Sequence, residues 1–218
     1  SQLFVAATQP PSLNSITPLS VLDDSFRSTL YPGGILNTGF AVDWTQQRVD
    51  NGKPYGQEWT RVRADGGDKV CADNQLLRLQ NPDLVAEIDE NPYYANPLGD
   101  SLAPITFVDR IEVPIFIAGA WQDEQTGGHF ANMLASFTSS PHVFATLTNG
   151  LHTESLSPPV AGRYMEFLQL YVGKKVPDLS AGAALASALG GALWGVSTFA
   201  PLESRFTGMT YANALAAF

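Results

Sequence analysis

Apolar residues gather in two runs in the second half of the chain. Val113 to Trp121 (VPIFIAGAW) is nearly unbroken and flanked by charged residues, which predicts a strand covered on both faces. His142 to Leu147 (HVFATL) reads as a second buried strand. Between them, a helix over Gln125 to Phe137 would carry Phe130, Met133 and Leu134 on one side. After them, Pro158 to Val172 has an early proline and places Tyr164, Phe167, Leu168 and Tyr171 at helical spacing. The order strand, helix, strand, helix predicts α/β architecture with a parallel sheet.

Upstream, Gln2 to Thr8 is compatible with a helix that stops at Pro10-Pro11, and Ile16 to Leu22 (ITPLSVL) reads as a short buried strand. From Asp23 to about Asp100 the texture shifts to Gly, Pro, Asn, aromatic and charged residues. Helical periods appear at Phe40 to Val49, Asn74 to Leu79 and Asp83 to Ile88, so this stretch reads as an inserted, mostly helical lobe. After Lys175 the pattern weakens into an Ala/Gly-rich stretch, a turn-rich piece at Pro201 to Gly208 and a terminal helix at Tyr211 to Phe218. The stretch Ala181 to Val196 is short for a bilayer span and has few large apolar residues, so it reads as a connector and no membrane is expected as a partner.

Composition narrows the choices. With 218 residues, 44% of them hydrophobic and 15% charged, the chain can bury a sizeable core. A net charge of -9 supplies no basic stripe for phosphate backbones, so nucleic acid is not expected as a partner. Cys71 stands alone, which excludes an internal disulfide and a cysteine-built zinc site.

In a doubly wound sheet, ligands sit beyond the carboxyl ends of the strands, so polar residues just after an apolar run are the first candidates for chemistry. Asp123 follows the strand ending at Trp121, and His152 follows the strand ending near Leu147, within Asn149-Gly150-Leu151-His152. If these strands are neighbours, both loops open on one edge. A carboxylate on one imidazole nitrogen fixes the tautomer, and the other nitrogen is left to take a proton from a hydroxyl. That is the acid and base part of a Ser-Asp-His triad. The nucleophile is not in evidence, since no Gly-x-Ser-x-Gly elbow occurs; Gly195-Val196-Ser197-Thr198-Phe199 lacks the second glycine and follows the histidine. His129, in Gly127-Gly128-His129-Phe130, is a pocket or a surface residue, and His142 opens a strand as a structural residue. The three histidines show no His-x-x-x-His spacing, so no metal site is expected, and no phosphate-binding glycine loop is present.

Several segments are similar to the X-prolyl dipeptidyl-peptidase and cocaine-esterase-like hydrolases: Ser1 to Ala7 (SQLFVAA), Tyr31 to Gly34 (YPGG), Val113 to Asp123 (VPIFIAGAWQD), Asn149 to His152 (NGLH) and Phe167 to Val172 (FLQLYV). The resemblance runs over nearly the whole chain. It implies a partial α/β-hydrolase fold, the last three parallel strands with flanking helices and an inserted helical cap. By it, residues 1–22 and 101–175 form the C-terminal half of the catalytic domain, 23–100 the cap, and 176–218 a connector toward a jelly-roll domain. Asp123 is then the triad acid and His152 the base, with Trp121, Gly127, Gly128 and His129 near the substrate. No cofactor is implied. The substrate would be a small ester or an X-Pro peptide, and the serine would lie upstream of Ser1 or on a complementary chain, leaving these residues inactive alone. The unpaired sheet edge makes a homo-oligomer a further option. A rival reading from another class makes the chain a non-catalytic binding or assembly module that uses the cap aromatics Tyr31, Phe40, Trp44, Tyr55, Trp59, Tyr93 and Tyr94.

Overall fold

In the computed structural model, which describes residues 1–92, 97–180, 182–195 and 204–218, the centre of the molecule is a strand buried along its whole length. This strand, β1 (Ile115–Ala120), pairs in parallel with β2 (Val143–Thr148), in register from Ile115 opposite Val143 to Ala120 opposite Thr148. Its side chains alternate between two cores, as the period of a strand requires. Ile115 and Ile117 join Leu3, Ile111, Phe130 and Met133 on one face, while Phe116 and Ala118 join Val160, Phe167, Leu170 and Phe206 on the other. Each fully buried Ile or Phe here contributes roughly 1.5–3 kcal/mol. Helix α1 (Gln2–Ala7) buries Leu3 and Ala6 against the first core.

The segment expected as a third strand at Ile16 to Leu22 lies parallel to β1 on the side away from β2, but only as two isolated bridges, Ile16 to Ile115 and Leu19 to Ala118. Its main chain exchanges four hydrogen bonds with β1 and its flank: Ile16 N–H to Pro114, Phe116 N–H to Ile16, Ala118 N–H to Pro18 and Ser20 N–H to Ala118. A regular strand does not develop because Pro18 has no N–H to give and Ser20 turns into the left-handed region at φ 46°. On the opposite edge the Gln2 carboxamide bonds both main-chain groups of Thr17, accepting from its N–H at 2.7 Å and donating to its carbonyl at 3.2 Å.

Between residues 40 and 101 the described chain forms short helices: α2 (Phe40–Gly52), α3 (Glu58–Asp65), α4 (Lys69–Asn74), α5 (Leu84–Glu90) and α6 (Pro97–Ser101). Asp68 and Asp83 cap α4 and α5 by accepting main-chain N–H groups. The period read at Asn74 to Leu79 is a 3₁₀ segment, Gln75–Gln80, and α3 lay outside the periods that the sequence displayed.

Three further expectations change. Gln125 to Phe137 is not an α-helix but a turn followed by a 3₁₀ segment, Gly128–Ser136, because Gly127 at φ 70° and ψ 174° breaks the helical path. The second strand is not buried: Phe144 packs in the second core, yet Ala145 and Leu147 are exposed, as suits an edge strand covered on one face. The Ala/Gly-rich connector contains a helix, α8 (Gly182–Trp194), since alanine has the highest helix propensity and overrides the weak periodicity. Helix α7 (Pro158–Tyr171) covers the second core and receives α9 (Tyr211–Ala217), whose end brings Phe218 to ring-centroid distances of 4.7 Å from Phe144 and 6.1 Å from Phe167. Among the described residues no helix is long and apolar enough to cross a membrane.

Candidate active site

Both loops that leave the carboxyl ends of β1 and β2 emerge on one edge, as parallel pairing demands. The β1 loop is shaped by Asp123 itself. One of its oxygens, Oδ1, accepts the main-chain N–H groups of Gln125 and Thr126, each at 2.8 Å, and its carbonyl accepts from Gly127 at 3.0 Å. This is an Asx turn, the local alternative to helix that aspartate offers, and it closes because Gly127 supplies the next, glycine-only conformation.

The same carboxylate meets the ring of His152. Nδ1 stands 2.9 Å from Oδ2 and 3.1 Å from Oδ1, and because a carboxylate only accepts, Nδ1 carries the proton. The Asp123 side chain is 1% exposed and that of His152 30% exposed, so the acid is sealed while the imidazole reaches solvent. Burial pushes the Asp123 carboxyl up, but the Thr126 and Gln125 N–H groups and the His152 ring outweigh it and hold the group below its ordinary value. Among the described residues nothing hydrogen-bonds Nε2 of His152. A neutral imidazole so held can accept a proton at Nε2 and be stabilised as the cation by the carboxylate.

Asp123 and His152 are thus brought together. The other residues singled out are dispersed. Trp121 follows β1 and is half exposed, its ring 6.1 Å from that of Phe130. Gly128 packs under it, since a Cβ there would sit 3.1 Å from the Trp121 carbonyl. His129 is exposed and faces a cavity of about 680 Å³ shared with Asp23, Phe26, Arg27 and Tyr31, to which neither Asp123 nor His152 contributes. Of the lobe aromatics, Tyr31 is buried with its hydroxyl donating to the Ile88 carbonyl, Trp44 and Trp59 are about half exposed, and Tyr93 and Tyr94 lie outside the described residues. Ser197 lies outside them as well.

Two residues around the pair were not anticipated. Glu124 accepts the His152 main-chain N–H on Oε2 at 3.0 Å, and this bond above all holds the Glu124 carboxyl below its ordinary value. Ser20 donates its hydroxyl to the His152 carbonyl at 2.9 Å and touches the Ser155 hydroxyl at 2.7 Å. The signal for Ser20 was the one that found Asp123, a polar residue at the carboxyl end of an apolar strand; reading the strand on to Leu22 concealed it.

Comparison with known proteins sets the class, which is that of the hydrolases. Over residues 1–154 the chain matches the family model described as X-Pro dipeptidyl-peptidase (S15 family), and it belongs to that family. Two crystal structures of a CocE/NonD family hydrolase from Staphylococcus aureus share its fold, with TM-scores of 0.55 and 0.57 at 18% and 20% identity, each over 83% of this chain. The chain spans 28% of the length of that hydrolase. No curated protein matches it.

Proposed function

We propose that this chain supplies the acid and base of a Ser-Asp-His triad in a serine acyl hydrolase acting on esters or X-Pro peptides. The single observation that carries the reading is the 2.9 Å contact between the buried Asp123 carboxylate and His152 Nδ1 at the carboxyl ends of two paired parallel strands. Family membership supports it, because the hydrolases of this family are the setting the pair calls for.

In this reading His152 takes the proton of a serine hydroxyl as it attacks the acyl carbon, then returns it to the leaving group. Asp123 holds the Nδ1 tautomer and stabilises the imidazolium. No Gly-x-Ser-x-Gly lies within the 218 residues, so the serine and the oxyanion donors come from sequence outside them, and the 218 residues by themselves do not hydrolyse acyl bonds. Residues 1–22 and 101–175 are the last three strands and flanking helices of an α/β-hydrolase domain, 23–100 its cap and 176–218 a connector toward a jelly roll. Trp121, Gly127 and Gly128 face substrate from the β1 loop, whereas His129 opens onto a separate cavity.

The test is hydrolysis of a p-nitrophenyl ester and of an X-Pro p-nitroanilide by the full-length protein and its His152→Ala variant. A loss of about 10³-fold or more on the preferred substrate is expected. Activity that survives the substitution, or that is present in the isolated 218 residues, overturns the reading.

A further inference from the structure

His152 sits on a short 3₁₀ turn, His152–Leu156, at the end of a loop, and a catalytic base on a loop must be held by something other than regular secondary structure. The carboxylate of Asp123 orients the ring but leaves the main chain free to slide. That main chain is gripped from two directions. Glu124 takes the His152 N–H at 3.0 Å, and Ser20, which lies 132 residues away in sequence, gives its hydroxyl to the His152 carbonyl at 2.9 Å. Ser20 reaches the carbonyl from the bridged segment on the far side of β1 from β2, so the two contacts tie the histidine loop across β1.

Two features mark the Ser20 contact as more than incidental. Serine stands at φ 46°, where an L side chain is disfavoured and glycine or asparagine is the usual solution. Its hydroxyl is also shared with Ser155 Oγ, itself buried within the same turn, so one side chain fixes the loop at its first and fourth residues. Glu124, next in sequence to Asp123, makes the acid loop supply both the contact to the ring and the contact to the main chain.

We infer that Ser20 and Glu124 are positioning residues that clamp the His152 main chain from opposite sides and thereby set where its Nε2 is presented. The inference rests on the role proposed for His152. It concerns the rate of the chemical step rather than substrate affinity, because neither residue touches the reacting atoms. Ser20→Gly removes the hydroxyl while suiting the positive φ, so it isolates the clamp from backbone strain. Glu124→Gln keeps an acceptor for the His152 N–H, whereas Glu124→Ala removes it.

The experiment measures kcat and KM for a p-nitrophenyl ester in the full-length protein, with far-UV circular dichroism to confirm folding and the downfield Nδ1 proton resonance of His152 as a spectroscopic readout. Ser20→Gly and Glu124→Ala should each lower kcat roughly 10- to 100-fold with KM changed less than about twofold, and should broaden or abolish the downfield resonance. Glu124→Gln should recover most of the lost kcat. If His152→Ala abolishes activity while Ser20→Gly and Glu124→Ala leave kcat and the resonance unchanged, the clamp is refuted and the triad stands. If His152→Ala itself has no effect, the triad reading falls first. A folded Ser20→Gly whose KM rises with kcat intact also overturns the inference.

Discussion

Gly119 and Phe130 are packed so closely that a Cβ added to Gly119 would fall 2.4 Å from the Phe130 ring. Phe130 is fully buried in the first core and cannot withdraw without opening it. Gly119→Ala therefore costs at least about 2 kcal/mol through overpacking. Denaturant unfolding followed by tryptophan fluorescence measures this, and a midpoint equal to that of the unmodified chain would contradict it.

Asp123 has two separable duties, one to its own loop and one to the histidine. Asparagine keeps an oxygen for the Gln125 and Thr126 N–H groups but carries no charge to hold the ring as a cation. Asp123→Asn should lower the unfolding midpoint only by what the charge adds and lower kcat in the full-length protein by roughly 10³–10⁴-fold. Asp123→Ala should add a stability loss of about 1–3 kcal/mol from the two orphaned donors. Equal stability of the two variants would refute the loop role.

The depressed Asp123 carboxyl also gives a pH dependence with a defined sign. The folded chain binds this proton less readily than the unfolded chain, whose carboxyl titrates near 3.8. The unfolded state thus takes up more protons as acid is added, and the stabilisation present above that value drains away as pH falls through and below it. Urea titrations from pH 6 downward should show a steeper loss of stability in the native chain than in Asp123→Asn. Parallel curves would count against it.

Gly127 combines φ 70° with ψ 174°, a region that is essentially closed to residues with a Cβ. Space is not the obstacle, since a Cβ there would meet only the Ser28 carbonyl, at 3.5 Å. Gly127→Ala should cost roughly 1–3 kcal/mol through backbone strain alone and should loosen the Asx turn. Thermal unfolding of this variant beside Gly128→Ala, where the limit is contact with Trp121 at 3.1 Å, separates strain from crowding.

Glu166 is wholly buried between Arg163 at 2.7 Å and Arg205 at 2.6 Å, tying α7 to the segment that leads into α9. Removing it strands two guanidinium groups, each about 40% exposed and so partly relieved by water. Glu166→Ala should destabilise by about 2–3 kcal/mol, less than the loss expected for a fully enclosed pair. Replacement of Arg163 and Arg205 together with Glu166 by apolar residues should recover much of that loss, as read by the unfolding midpoint.

The strands were legible where burial on both faces made the pattern continuous, as in Ile115 to Ala120, and the pair at their carboxyl ends followed from topology alone. Elsewhere local chemistry competed with periodicity. The spacing of Phe130, Met133 and Leu134 is helical, yet the Asx turn at Asp123 and the conformation of Gly127 divert the chain into 3₁₀ geometry. In the opposite sense, Gly182 to Trp194 shows little amphipathic contrast and still forms a helix, because alanine favours one with or without a polar face. Ser20 escaped notice for a third reason: the apolar run was read on to Leu22 and hid the strand end, while its contact with the His152 carbonyl spans 132 residues.

The Gln2 carboxamide on Thr17 makes one amide side chain behave like a fragment of a neighbouring strand. A polypeptide laid along that margin of the sheet would meet its hydrogen-bonding groups already engaged at Thr17, and would have to exchange one amide for another there without gaining a bond.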